Sequence, residues 1–489
     1  MSRMKPSSYC CAPLALGSLR ASAVIAACAA ILAGCAVYHA RPLPKAPNLA
    51  SVPSLSVPVA RLRVSWLKPQ TFHPAMGLSE TNVITLAVAD NPELKAARLA
   101  AGVARAQLLV AGLLPDPQIG GGLSKSSLLT GYNVSVAEDI AALVTRGATE
   151  RAAGDHLRQV HLNILWQEWQ VAERARELFI ESRAATRLRP VLDARRKLQS
   201  RLYHADMRML RNGDSTRDAV TADFDAWKSA ETAWTAFELR ENRTRHALDA
   251  LLGLAPDVRL RLRGNSRPDQ VSRTQYRAAL ANLPYRRPDL LALRAGYRSA
   301  EARLRAAILA QFPLLRAGVT KSRSAGDGIP SIGFNVDLTL PLFNRNQGGI
   351  ALARASRAEL FRSYEARLDA ATGEADTIWG ALRIMQRQLQ ILDAHRAALM
   401  RTAGVARKSL ARGRESLKDY VPLEVSALTT QAEAIQLRAS LQKAQAVLAT
   451  LLALPPDAGR RDINTRRDTL PDANPPIPPG YHTSRQRRS

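Results

Sequence analysis

A stretch of 36 residues occurs twice in this chain, and no other feature constrains its fold as strongly. NPELKAARLAAGVARAQLLVAGLLPDPQIGGGLSKS, from Asn91, aligns without a gap with RPDLLALRAGYRSAEARLRAAILAQFPLLRAGVTKS, from Arg287. Pro92, Leu94, Ala96, Arg98, Ala104, Leu108, Ala111, Leu113, Pro117, Gly122, Lys125 and Ser126 all recur 196 positions later. Further on, Asn133-Val134 matches Asn335-Val336 at an offset of 202, and Leu251-Leu252 with Leu254, Pro256 and Asp257 matches Leu451-Leu452 with Leu454, Pro456 and Asp457 at 200. A nearly constant offset over most of a chain marks tandem copies of one structural unit. The copies are 78–258 and 276–457, joined by a basic connector at 259–275, with a Pro-rich linker at 35–77 ahead of them and a basic tail at 458–489. The tail's prolines and arginines predict disorder.

Each copy has the same plan: helix, two strands, long helix, return helix. Pro92 stands where a first-turn proline is tolerated, and the Ala/Leu/Arg run after it has high helix propensity. Pro115 and Pro117, or Pro313 in the second copy, end that helix. In SIGFNVDLTL, Ile332, Phe334, Val336, Leu338 and Leu340 alternate with Gly333, Asn335, Asp337 and Thr339, which predicts a strand with one apolar and one polar face. Tyr132, Val134 and Val136 repeat the pattern more weakly in the first copy. Long helices are predicted from about Asp155 to Arg211 and from about Gly349 to Arg412. At about 1.5 Å per residue the second would reach on the order of 95 Å, a length without use in a globular domain. Val220, Phe224, Trp227 and Trp234 form a coiled-coil-like seam, and Val421, Val425, Leu428 and Ile435 repeat its steps. Trp166 and Trp169 read as packing residues. Pro190 should kink its helix.

Only about four strand segments are present, and four strands cannot enclose a lumen. A membrane-spanning sheet must close so that no edge is left unpaired, with strands of about 9 to 11 residues. Pooling strands from several subunits is the economical solution, and three chains supply twelve. A half-buried strand in a soluble sheet would show the same alternation.

The N-terminus suggests where such a sheet would be used. Arg3, Lys5 and Arg20, with no acid, precede an apolar run that ends in Leu32-Ala33-Gly34-Cys35. This resembles the bacterial lipoprotein signal, so 1–34 reads as a signal peptide and Cys35 as the first mature, acylated residue. The chain has four cysteines, none after Cys35, so a mature form could make no internal disulfide. Ala36 follows that cysteine, and the resemblance then implies the outer membrane. The formal charge of +27, less the three cations of 1–34, leaves +24. An exported lipoprotein meets no nucleic acid, so anionic lipopolysaccharide, peptidoglycan or an acidic partner are its counterparts.

A duplicated helix-strand-strand-helix-helix unit behind a lipoprotein signal resembles the TolC-like outer-membrane efflux proteins. LPLFNRNQGGIALARA, at 340–355, is similar to that family's strand-to-helix junction in the second repeat, and Leu-Leu-Gly-Leu and Leu-Leu-Ala-Leu near Leu251 and Leu451 are similar to its repeat ends. In the first copy, AEDIAALVTRGATERAA lacks the Pro-Leu-Phe. The resemblance implies a mainly α fold with a small transmembrane β portion: a homotrimer forming a twelve-stranded barrel in the outer membrane, continued as a helical tunnel across the periplasm. RNGDST and RGRES put Gly213 with Ser215, and Gly413 with Ser416, between long helices, as tight helical hairpins require. In the family these tips form the periplasmic end, where an adaptor docks and the bore narrows. Asp419, six residues after Gly413, is similar to an acidic constriction; it reads equally as a solvated helix residue beside Lys418.

No metal-ligand set, phosphate loop or nucleophile elbow is present, which argues against an enzyme and against any cofactor beyond the lipid on Cys35. Energy for transport would come from an inner-membrane transporter, of the resistance-nodulation-division or an ATP-driven type. Residues 344–348 look closest to heavy-metal and drug exporters. The alternative is a non-transporting envelope scaffold or adaptor lipoprotein built on similar coiled coils; the strand at 332–340 separates the two, because a scaffold needs no lipid-facing row.

Overall fold

A computed structural model describes residues 38–51, 76–125, 130–268, 270–312, 314–325 and 328–454. The signal peptide, Cys35, most of the Pro-rich linker and the tail from 455 lie outside the described residues. The chain divides into two units, Met1–Asn48 and Leu49–Ser489. The described part of the first, 38–48, has no regular element.

The second unit holds every element: α1 Glu80–Asp90, α2 Pro92–Gly112, β1 Gln118–Lys125, β2 Thr130–Asp139, α3 Ile140–Arg211, α4 Arg217–Leu251, α5 Arg273–Ala281, α6 Leu283–Arg286, α7 Pro288–Leu309, β3 Leu314–Arg323, β4 Pro330–Thr339, α8 Gln347–Ala411 and α9 Leu417–Leu451. Similar elements recur in the two halves, α6 apart. Asn91 caps α2 by accepting from the Leu94 amide, with Pro92 in the first turn; Pro288 likewise stands in the first turn of α7, where Arg287 makes no side-chain cap. Helices α4 and α9 each have 35 residues. Helix α3 has 72 residues, a length of roughly 110 Å at about 1.5 Å per residue.

Equivalent cores hold the middle of each repeat. In the first, Val83, Leu86 and Ala87 of α1 pack on Ala175, Leu178 and Phe179 of α3 and on Leu248 and Leu252. In the second, Tyr276 and Ala279 of α5 pack on Ala375 and Leu382 of α8 and on Leu448 and Leu452. Both short helices start with capping boxes, at Ser79 and Ser272, which satisfy amides that burial would otherwise strand. Farther toward the hairpin ends, the coiled-coil seam joins the repeats. Leu188 and Val191 of α3 meet Phe237 of α4 and Ala432 of α9, then Leu198 and Leu202 meet Ala406, Tyr420 and Val421.

One local expectation changes. Helix α3 starts at Ile140 rather than near Asp155. Gly147 and Gly154 weaken its propensity there, but tertiary contacts override them: Arg146 donates to the Gly112 carbonyl at 2.7 and 2.9 Å, and Ser299 donates to the Ala152 carbonyl at 2.7 Å. Helix α3 runs through Pro190, with Leu188 and Val191 on either side anchored in the seam. The two strand-to-helix junctions also differ. Asp139 ends β2 and Ile140 begins α3 with no residue between, and the Asp139 carboxylate accepts from the Ala142 amide at 3.3 Å. Residues 340–346 form a separate turn, in which Asn346 takes φ 56° and donates to the Ala307 carbonyl at 2.8 Å.

Candidate functional site

Two places bring chemistry-bearing residues together: the sheet, and the hairpin tips at the far ends of the long helices.

The sheet is an antiparallel meander in the order β1-β2-β3-β4. Cross-strand partners share a face, so the register sorts every side chain. Ile119 lies opposite Val136, Val136 opposite Val319, and Val319 opposite Phe334, a transverse apolar row across all four strands. Val134, Val336 and Leu338 extend it. These side chains are exposed, Phe334 at 86%. The opposite face carries the transverse rows Gly120, Ser135, Thr320, Gly333 and Gly122, Asn133, Ser322, Ser331, all small or polar. Thr320 donates to Asn335 at 3.3 Å, and the Ser322 and Ser331 hydroxyls bond at 2.8 Å. An apolar face left bare beside a polar one is the reverse of a soluble sheet, whose apolar side is covered. The outer edges of β1 and β4 pair with nothing among the described residues. Ten residues of β4 span about 33 Å at about 3.3 Å each, enough for a tilted strand to cross a bilayer's apolar band of about 25 Å.

At the tips, Gly213 has φ +86° and Gly413 φ +68°, left-handed conformations that a Cβ would strain. The turns close in the same way, with Asp214 N donating to the Met209 carbonyl at 2.8 Å and Arg414 N to the Ser409 carbonyl at 3.0 Å. Thr216 and Ser416 cap the return helices. Gly213, Gly413 and Ser416 are exposed, and Ser215 is half-buried.

Asp419 is exposed in the first turn of α9. Its amide donates to the Ser416 hydroxyl at 3.1 Å, and its carboxylate accepts from that hydroxyl at 2.6 Å. The structure thus gives it a local capping role, favoured further by the helix dipole.

A cluster missed in the sequence lies close by. Asp206 of α3 is 1% exposed; it accepts from Ser215 at 3.0 Å and from Lys418 of α9 at 3.3 Å. Burial pushes the Asp223 carboxyl up, the charge of Asp206 adds to this, and Lys418 opposes it. Lys418 therefore ties the second hairpin to the first. No spacing in the sequence announces a pair 212 residues apart. Among the described residues, no group of three or more metal-ligating side chains occurs, and no helix is long and apolar enough to cross a membrane.

The match with known proteins is to channels. A family model for outer membrane efflux proteins matches residues 279–454. Over most of its length the chain shares the fold of solved outer-membrane proteins. The CusC structure, in work on transmembrane channel formation, superimposes with a TM-score of 0.62 at 18% identity over 83% of this chain and 99% of that one. The outer membrane protein VceC of Vibrio cholerae gives 0.61 at 17% identity, over 76% and 96%. The CmeC outer membrane channel of Campylobacter jejuni gives 0.64 at 14%, over 87% and 96%. No curated protein matches in sequence. The family model covers the repeat that has the Pro-Leu-Phe junction, and the channel fold extends through the copy that lacks it.

Proposed function

We propose that this protein is the outer-membrane channel subunit of a tripartite efflux pump: a passive duct that lets small molecules leave the periplasm. One observation carries the reading. The sheet exposes an apolar row on one face and small polar residues on the other, and both its edges are open. An open edge is not tolerated in lipid. Joining β4 of one copy to β1 of the next removes both edges, and three copies make a closed ring of twelve strands, with the apolar rows toward lipid and the glycines, serines and asparagines toward a wet lumen. The protein resides in the outer membrane, with the long helices continuing the duct into the periplasm. A helical scaffold has no use for the bare apolar row.

The finer parts of the proposal rest on the sequence. Cys35 carries the acyl anchor, with no other cofactor. The hairpin tips, with Gly213, Ser215, Gly413 and Ser416, face a periplasmic adaptor, and an inner-membrane transporter supplies the energy. Asp419, three times around the axis, opposes anions in the bore, and its cap to Ser416 fixes the start of α9 from which it projects. The cargo is a drug-like molecule or a heavy-metal cation.

The test is reconstitution. Purified full-length protein should migrate as a detergent-stable, heat-modifiable trimer and conduct ions in planar bilayers. A monomer that stays in aqueous buffer and gives no conductance refutes the channel.

A further inference from the structure

The loop end of the sheet carries charge that the channel reading does not use. The register assigns Lys125, Lys321 and Arg323 to the same face as Ile119, Val134 and Phe334: Lys321 lies opposite Val134 and Ile332, and Arg323 opposite Tyr132. All three are exposed, and all stand where β1 and β3 run out into the loops, at the end away from the helices. Lys125 and Lys321 are equivalent positions of the repeat. Neither lysine forms an ion pair among the described residues, while Arg323 Nε donates to the Gly328 carbonyl at 2.8 Å. The strand acids, Glu138, Asp139 and Asp337, all sit at the opposite, helix-proximal end.

A cation on a lipid-facing surface is strongly destabilising at the bilayer midplane and nearly neutral at the interface. This face therefore places the three cations at the headgroup level of the outward leaflet, where an anionic headgroup is their available partner. Lys321 and Arg323 are two residues apart on one strand, about 7 Å, and β1 lies roughly 10 Å from β3 across β2. Lys125 lies farther still along its own strand, and a headgroup bearing two phosphates matches that spread better than one, with charge-assisted hydrogen bonds to each.

We propose that Lys125, Lys321 and Arg323 form a binding surface on the outer rim of the barrel for a diphosphorylated glycolipid of the outward leaflet. The proposal rests on the barrel reading. The full-length channel in phosphatidylethanolamine nanodiscs is titrated with diphosphorylated lipid A, with dephosphorylated lipid A and with phosphatidylglycerol, and bound lipid is counted by native mass spectrometry. A cation near an anionic surface contributes roughly fivefold in affinity. The triple variant K125Q/K321Q/R323Q should thus bind diphosphorylated lipid A on the order of a hundredfold more weakly. R201Q/K228Q/R243Q, which removes the same charge from exposed helix positions, should bind it as the wild type does. Equal wild-type binding of the dephosphorylated lipid or of phosphatidylglycerol, an unaffected rim variant, or an equal loss in the helix variant overturns the proposal. Planar-bilayer conductance of the same wild-type protein separates the failures: conduction without lipid preference rejects the rim alone, and no conduction rejects the channel together with it.

Discussion

Single side chains set the mechanics of the helical end. Lys418 supplies the cation for Asp206, a buried acid that also accepts from Ser215. Lys418→Met leaves that carboxylate with one neutral donor, and a destabilisation of about 1 kcal/mol is expected, discounted for the half-exposed lysine; urea midpoints check this, together with faster proteolysis at 412–416. Gly413→Ala forces a Cβ into a backbone with φ +68°, at about 1 kcal/mol. A second acid responds to pH. Burial pushes the Glu173 carboxyl up to about 7, although a hydrogen bond from Thr450 pulls the other way. The folded state then holds this proton more tightly than the unfolded chain does. Its contribution is complete below the ordinary carboxylate range and disappears as pH rises through about 7. Stability measured across that window should fall, and Glu173→Gln should flatten the profile; an unchanged slope in the variant would remove Glu173 as the cause.

At the scale of elements, the sheet makes the sharpest demand. Val336 and Asn335 are chain neighbours on opposite faces. Val336→Arg should cost about 2–4 kcal/mol toward the middle of the apolar band and abolish stable insertion. Asn335→Arg, on the polar side, should leave assembly intact and alter conductance. Equal effects of the two substitutions would contradict the assignment of faces. This element was legible in the sequence because a strand's period of two writes both faces directly into the residue order. The start of α3 was not: the glycines at 147 and 154 argue locally against helix, and the contacts that hold it, from Arg146 and Ser299, involve residues remote in sequence.

For the whole molecule, the 196-residue offset already implied two copies of one unit, and the equivalent cores around α1 and α5 carry that duplication into packing. The hairpin tips followed from their glycines, but the link between them, Lys418 to Asp206, did not, because a single ion pair between distant helices has no periodic signature. The N-terminal cysteine gives a prediction at this scale. Cys35→Ser should eliminate acyl labelling while leaving conductance, if strand closure rather than the lipid is what holds the protein in the membrane; loss of conductance in correctly exported variant protein would argue that the anchor is essential.

The unequal junctions give the repeats different routes from sheet to helix. Strand β2 enters α3 without an intervening residue, whereas β4 reaches α8 through the seven positions 340–346. An insertion between 139 and 140 would therefore have no irregular segment to absorb it, whereas one within 340–346 would fall in a turn.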